Sequence, residues 1–108
     1  MEIREQRQGE KLQLELQGNL DIYAVAELRG RLLSCLASAH TLEIDLRQVE
    51  EIDGAGLQLL LALKRSASEQ GCQLSLSNHS PAVVEAMELC RLSTFFGDPI
   101  LLQREQAR

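Results

Sequence analysis

The chain has 108 residues, the size of one domain with one core, so we treat residues 1–108 as a single domain. Hydrophobic residues make up 44% and charged residues 25%, which is typical of a globular protein and excludes a disordered or fibrous one. Aromatic residues make up only 3% and the formal net charge is -5, so binding to nucleic acid or to an anionic membrane surface is disfavoured.

The cellular location of the chain is predicted from two sequence features that it lacks, a membrane-spanning segment and a signal peptide. No stretch approaches the ~20 apolar residues of a membrane-spanning helix, and the charged start from Met1 to Glu5 is unlike a signal peptide. These features predict a cytoplasmic protein that is not inserted in a membrane. Cys35, Cys72 and Cys90 are odd in number and show no CxxC spacing, so we expect reduced, at least partly buried thiols and no disulfide or zinc site.

The first half of the chain is predicted to form two strands and a helix. Leucines at alternate positions over 12–16 indicate a strand with one buried face, which Gly18 and Asn19 end. Residues 3–7 supply a candidate partner strand across a short glycine-containing turn. From Asp21 onward apolar residues recur at three- and four-residue steps, which predicts a helix with Asp21 as its N-cap.

The second half alternates strands with helices. Apolar and polar residues alternate over 42–46 and again over 74–76, which predicts two strands. Between them lies a helix over 54–70, with Gly71 as a left-handed C-terminal cap. A third helix begins at Ser80, followed by Pro81 in the first turn. A turn over 97–99 and a short final strand over 100–102 are expected, before a frayed tail over 103–108.

The strand pattern predicts how the helices are placed. Every second strand position is polar, whereas strands covered by helices on both faces are apolar throughout. The predicted fold is therefore an α/β domain: a mixed four- to five-stranded sheet with about three helices packed mainly on one face.

Two short turns carry the functional information. Residues 52–57 read Ile-Asp-Gly-Ala-Gly-Leu at the start of the middle helix, and residues 18–21 read Gly-Asn-Leu-Asp between a strand and the first helix. Together with the order of the elements, these turns resemble the STAS domain over nearly the whole chain. The best-known members of that family are bacterial anti-sigma-factor antagonists, in which this turn presents a Ser or Thr to a partner kinase that is also the anti-sigma factor. The corresponding residue here is Gly54, so the resemblance implies a turn that cannot be phosphorylated.

The start of the middle helix is the candidate partner-binding site. A helix N-terminus leaves about four backbone N–H groups without internal partners, and small side chains leave them accessible. Two leucines of this helix lie off its apolar stripe, in line with Lys64, which favours an apolar patch beside the turn. The candidate partner-binding residues are Asp53, Gly54, Ala55, Gly56, Leu57 and Leu61.

Two alternatives to this interpretation stay open. Gly54 and Gly56 have an equally simple use if they only permit a tight turn and close packing on the sheet. One of the two leucines, Leu57 or Leu61, has an alternative place under the first helix or a loop, since singly exposed leucines are common.

No catalytic residue, cofactor or metal site is predicted. The glycines at 54 and 56 suggest a dinucleotide-binding turn, but Leu59 stands where its third glycine would fall, and the preceding apolar strand is predicted to end at Leu46. A Walker loop and a G-x-S-x-G turn are absent from the sequence. His40 and His79 are predicted to be solvated loop histidines, because no Cys, Asp or Glu recurs near them at ligand spacing.

Acidic residues near the turn are expected to cap helices or to be solvated. Asp21, Asp45 and Asp53 are candidates to converge at one end of the sheet, where capping and solubility are the favoured roles. Glu50 and Glu51 beside them form a local acidic rim, for which a solvated loop is the favoured interpretation and the steering of a basic partner the alternative.

The sequence therefore predicts a non-catalytic regulatory module that binds another protein. The resemblance implies a kinase-type anti-sigma factor as partner, or another signalling component such as one linked to chemotaxis. An alternative that it also implies is an accessory subunit that binds the ATPase of a lipid-transporting ABC system. A homodimer is compatible with the sequence.

Overall fold

The computed structural model describes residues 1–90, and the turn, strand and tail predicted between residues 97 and 108 lie outside the described residues. The described chain folds into one mixed sheet with three helices. Its elements are β1 (Glu2–Gln8), β2 (Lys11–Leu20), α1 (Ile22–Ser38), β3 (Thr41–Ile52), α2 (Gly54–Gln70), β4 (Gln73–Ser77) and α3 (Pro81–Leu89).

The four strands follow each other across the sheet in the order β1-β2-β3-β4. β1 pairs antiparallel with β2, whereas β2, β3 and β4 are parallel, so α1 and α2 serve as the crossover connections. The predicted α/β fold, a mixed sheet with three helices, is confirmed, with four strands in the part of the chain that the structure describes.

The core lies on one face of the sheet. Inward-facing residues at alternate positions of β2 and β3 are fully buried, and they form one cluster with the apolar stripes of α1 and α2. The strand residues of this cluster include Leu12, Leu14, Leu16, Leu42, Ile44 and Leu46. The residues between them on β2 and β3 are mostly polar. On this other face the Gln13 amide of β2 donates a hydrogen bond to the Glu43 carboxylate of the neighbouring β3. This separation of the two faces holds the helices on the apolar side.

Two strands run farther than the alternation predicted. β2 continues past Gly18 to Leu20, and β3 continues past Leu46 to Ile52. The predicted ends were wrong because two register shifts between β2 and β3, at Glu15/Gln17 and Gly18/Asn19, break the alternation of period two.

This longer β3 also removes one argument against a dinucleotide-binding turn. The strand runs to the residue before Asp53, so its end does not exclude such a turn. The missing third glycine, with Leu59 in its place, remains the argument against it.

The predicted helix ends are confirmed in detail. The Asp21 carboxylate accepts the N–H of Tyr23 at 3.1 Å and that of Ala24 at 3.0 Å. Gly71 ends α2 in the left-handed region at φ 75°, and the Ser80 hydroxyl accepts from Val83 at the start of α3. These caps satisfy backbone groups that a helix leaves unpaired at its ends.

Two side chains differ from the prediction in how far they are exposed to solvent. His79 is fully buried, not solvated, because it lies between β4 and the buried N-cap Ser80, where α3 turns onto the core. Cys90 is exposed because it follows the last residue of α3, whereas Cys35 and Cys72 are buried as expected. Burial raises the pKa of both buried thiols, and for Cys35 the nearby charge of Glu5 adds to the effect.

None of the helices described between residues 1 and 90 is long and apolar enough to cross a membrane.

Candidate protein-binding site

The two signature turns lie side by side at one end of the sheet. β2 and β3 are parallel neighbours, with Leu20 opposite Ile52, so their carboxyl ends meet at the same edge. Each strand is followed by a capping aspartate and a helix, and the N–H of Asp53 donates to the Leu20 carbonyl at 3.3 Å. The topology therefore brings together two segments that lie about thirty residues apart in the sequence.

Asp53 ties the starts of α1 and α2 together. One oxygen of its carboxylate, Oδ1, accepts the N–H of Gly56 at 3.0 Å, which caps its own helix. The other oxygen, Oδ2, accepts the N–H of Ile22 at 3.1 Å, in the first turn of the neighbouring helix. A charged acceptor suits both positions, because helix N-termini carry partial positive charge. One side chain thus fixes the position of one helix start against the other.

The two glycines of the turn have different roles. A Cβ at Gly56 would collide with the Leu20 carbonyl and come within 2.8 Å of Ile52 Cγ1, so this residue is glycine because the helix lies directly on the strand ends. A Cβ at Gly54 would meet nothing within 4 Å. The close-packing interpretation therefore applies to Gly56, while Gly54 is exposed beside the half-buried Ala55.

The expected exposure of the two off-stripe leucines is wrong for Leu57. Its side chain is 5% exposed and belongs to the core cluster, whereas Leu61 is half-buried and packs against that cluster. The burial of one of the two leucines agrees with the alternative interpretation, and it places Leu57 in a cluster with residues of the strands and of the other helices. Lys64, on the same line of the helix, reaches the Leu74 carbonyl at 2.8 Å.

The candidate site contains two exposed residues that the sequence analysis missed. Ile22 is 60% exposed and Tyr23 is 79% exposed, in the first turn of α1 beside the N-cap of α2. Both precede the apolar stripe of α1, and Tyr23 is the one tyrosine in the chain. Their position directly after an N-cap, off the buried face, is the signal that points to them.

The predicted site residues occupy different depths. Asp53 and Gly54 are exposed, Ala55 and Leu61 are intermediate, and Gly56 and Leu57 are buried beneath them. The surface of this end is therefore made by Asp53, Gly54 and Ala55 together with Ile22 and Tyr23, a mixture of aliphatic, aromatic and small side chains.

The charge around this surface is acidic. Glu50, Glu51 and Asp53 are exposed at the end of β3, and no Lys or Arg occurs between residues 48 and 63.

The predicted convergence of three aspartates at one end of the sheet holds for Asp21 and Asp53 only. Asp45 lies in the middle of β3, where its side chain accepts from the Asn78 amide at 2.8 Å.

No cluster of three or more His, Cys, Asp or Glu side chains suited to a metal ion occurs among residues 1–90. The carboxylate nearest the turn, that of Asp53, is already bonded to two backbone N–H groups.

Comparison with known proteins agrees with this architecture. The family described as "Mlab, STAS domain" matches residues 3–103. A STAS-domain containing protein of Pseudomonas aeruginosa is 27% identical over 82% of this chain and 87% of its own length. The anti-sigma-B factor antagonist of Bacillus subtilis is 26% identical over 75% of this chain and 74% of its own.

A solved structure shows the same fold. The anti-sigma factor antagonist from Mycobacterium paratuberculosis superposes with a TM-score of 0.78 at 21% identity, covering 98% of this chain and 92% of that one. With the family match over almost the whole sequence, the chain belongs to the STAS domain family and is similar to anti-sigma factor antagonists.

Proposed function

We propose that this chain is a non-catalytic regulatory module of the anti-sigma-factor-antagonist type, which binds a partner protein through the starts of α1 and α2. The observation that carries the proposal is the exposed pair Ile22 and Tyr23 beside the small residues Gly54 and Ala55. Aromatic and aliphatic side chains on a rigid element are the usual anchors of protein interfaces. The small residues beside them let a partner approach closely.

The six predicted contact residues take two roles in this proposal. Asp53, Gly54 and Ala55 form the contact surface, and Leu61 lies at its margin. Gly56 and Leu57 act from beneath, because Gly56 seats the helix start on the strand ends and Leu57 anchors the helix in the core. The partner is a kinase-type anti-sigma factor or another signalling protein, as the similarity to anti-sigma factor antagonists suggests.

Binding at this turn is proposed to be independent of phosphorylation of the turn itself. The resemblance implies that Gly54 replaces the Ser or Thr of the family, and the tryptic peptide from Gln48 to Lys64 contains no Ser, Thr or Tyr. Incubation with the captured partner and ATP, followed by mass spectrometry, should therefore find this peptide unmodified. In Gly54→Ser the same peptide should gain phosphate if the partner is a kinase, since the added side chain meets nothing.

The contact is tested by capture with the tagged full chain and mass spectrometry of the bound protein. Tyr23→Ala and Ala55→Arg should each reduce capture by about tenfold or more, as expected for a central interface residue worth more than ~1 kcal/mol. The matched control is Ala37→Arg, the same change at an exposed position near the far end of α1. Unchanged circular dichroism would show that all three variants are folded.

Capture that survives both Tyr23→Ala and Ala55→Arg would contradict the proposed surface. Leu57→Arg is not a suitable probe, because it would place a charge in the core instead of changing the surface.

A second candidate function is an accessory subunit that binds the ATPase of a lipid-transporting ABC system. The observation that favours it is the absence of any hydroxyl side chain from the α2 start, since a permanent subunit needs no phosphorylation switch there. The same capture experiment separates the two: an anti-sigma factor or signalling kinase supports the first function, and a nucleotide-binding transporter subunit supports the second.

A further inference from the structure

A shallow groove of about 300 Å³ lies between the end of β3 and one side of α3. Its lining combines apolar side chains with two carboxylates and, among the described residues, no basic side chain. The lining residues are Glu51, Ile52, Ala82, Glu85, Ala86 and Leu89. We propose that this groove binds a cationic amphipathic helix of a partner protein.

α3 presents two faces, and among residues 1–90 only one of them is fully packed. Val83, Val84 and Met87 are buried in the packing against the sheet. The groove residues of this helix, at positions 82, 85, 86 and 89, follow the spacing of a second continuous face. Leu89 on that face is 78% exposed, although it is a large apolar side chain. The fold therefore leaves an aliphatic group at the end of this face available to another molecule.

The floor of the groove suits a helix. Ala82 and Ala86 are one helical turn apart. Their small side chains form the bottom of the groove, with Ile52 on one side and Leu89 at the end. Packed helices lie about 8–10 Å apart, and small residues at the contact permit the shorter distances. An apolar stripe of an incoming helix would lie on the alanines, in the manner of helix-in-groove recognition.

The negative charge of the groove indicates which kind of helix it binds. Glu51 and Glu85 line the groove, and the sequence has no Lys or Arg over 48–63 or 81–90. A second copy of this chain would bring one acidic rim against another, and its net charge of -5 adds to the repulsion. A helix with Lys or Arg flanking its apolar stripe would place opposite charges over the two carboxylates.

The full chain can be titrated against a synthetic probe, a fluorescein-labelled helical peptide with leucines at i, i+3, i+4 and i+7 and lysines elsewhere. Fluorescence anisotropy should show saturable binding of this peptide. A matched peptide with glutamate in place of each lysine should bind at least about tenfold more weakly, because the charges then repel. Amide chemical shift changes should centre on Glu51, Ala82 and Leu89.

Variants of the chain locate the binding. Glu85→Lys should weaken binding of the lysine peptide about fivefold, and Leu89→Ser about tenfold, since they remove a rim charge and an apolar anchor. The matched controls are Glu69→Lys, at an exposed position near the end of α2, and Ala37→Ser, at an exposed aliphatic position near the end of α1. Both controls should stay within about twofold of the unmodified chain.

Three results would overturn the proposal: no saturable binding of the lysine peptide, controls that weaken it as much as the groove variants, or a dimer in sedimentation that Leu89→Ser dissociates. The last result would assign the groove to a second copy of this chain. The titration contains only the chain and the peptide, so its failure leaves the proposal for the starts of α1 and α2 standing.

Discussion

At the scale of single residues, the two glycines of the α2 turn show how one sequence pattern can serve two physical purposes. Gly56 lies against the Leu20 carbonyl and Ile52, where no side chain fits. Gly54, two positions earlier, faces open space. The difference decides which of the two positions is available for substitution.

Gly56→Ala is expected to lower the free energy of unfolding by about 1–3 kcal/mol, because its Cβ overpacks the contact between α2 and the strand ends. The matched control is Gly54→Ala, which should be neutral or stabilising by up to about 1 kcal/mol, since it only restricts the unfolded chain. Urea unfolding followed by circular dichroism measures both. Equal stabilities of the two variants would contradict the packing described for Gly56.

The three thiols are expected to differ in reactivity. At pH 8, Cys90 should react with iodoacetamide in the native protein, whereas Cys35 and Cys72 should react only after unfolding, because they are buried and their pKa is raised. Mass spectrometry of tryptic peptides at successive times assigns each site. Alkylation of Cys35 at the rate of Cys90 would contradict its burial.

The same raised pKa values set a direction for stability against pH. The buried thiols stay protonated in the folded state at a pH where they ionise in the unfolded chain. Their contribution to stability is complete below the ordinary thiol pKa and is lost as the pH rises above it. The free energy of unfolding should therefore fall above about pH 9.

At the scale of elements, Asp53 links two helices that are separate in the sequence. Its carboxylate accepts from Gly56 in α2 and from Ile22 in α1. The removal of this side chain therefore leaves one N–H unpaired at each helix start.

Asp53→Ala is expected to destabilise the chain by about 1–3 kcal/mol, the sum of a lost cap and a second charged hydrogen bond. Asp53→Asn should recover part of this loss, because one carbonyl oxygen remains to accept. The control is Glu50→Ala, the removal of an exposed carboxylate from the same end of β3. Thermal unfolding measures the stability of each variant. If Asp53→Ala loses no more stability than the control, Asp53 does not bridge the two helix starts.

Local rules predicted much of this fold because its helix ends depend on local chemistry. Asp21, Gly71 and Ser80-Pro81 cap their helices as their side chains and backbone freedom require. The strand ends were missed because the bulges near Gly18 depend on pairing between two strands. The sequence of either strand alone does not show how the two will pair.

The candidate site was predictable only in part, for the same reason. The turn over 53–56 was located from its residues, but the depth of each side chain depends on neighbours from other elements. Leu57 is buried in a core cluster to which the strands and the other helices contribute, and His79 is buried because α3 turns onto the core. Ile22 and Tyr23 join the site only because β2 and β3 are parallel neighbours.

At the scale of the whole molecule, the sheet combines well-protected inner strands with an exposed outer one. β2 and β3 each pair on both sides and bury their apolar face completely. β1 pairs on one side among the described strands, and of its residues only Ile3 is partly buried. Local stability should therefore decrease from β3 to β1.

Hydrogen exchange should show this gradient. Amides of β3 such as that of Ile44 are expected to exchange only through global unfolding, whereas β1 amides exchange faster through local opening. β2 serves as the internal control, since it pairs with β1 but belongs to the core. Equal protection of β1 and β3 would show that the sheet opens as one unit.

The open space around Gly54 has a consequence for how such a module can change over evolutionary time. A side chain can appear or disappear at this position without any compensating change in the core, because its Cβ would meet no atom within 4 Å. A single point mutation that introduces a serine would create a modifiable group on an unchanged scaffold. Whether this turn carries a modifiable side chain is therefore a property that mutation can change independently of the ability of the chain to fold.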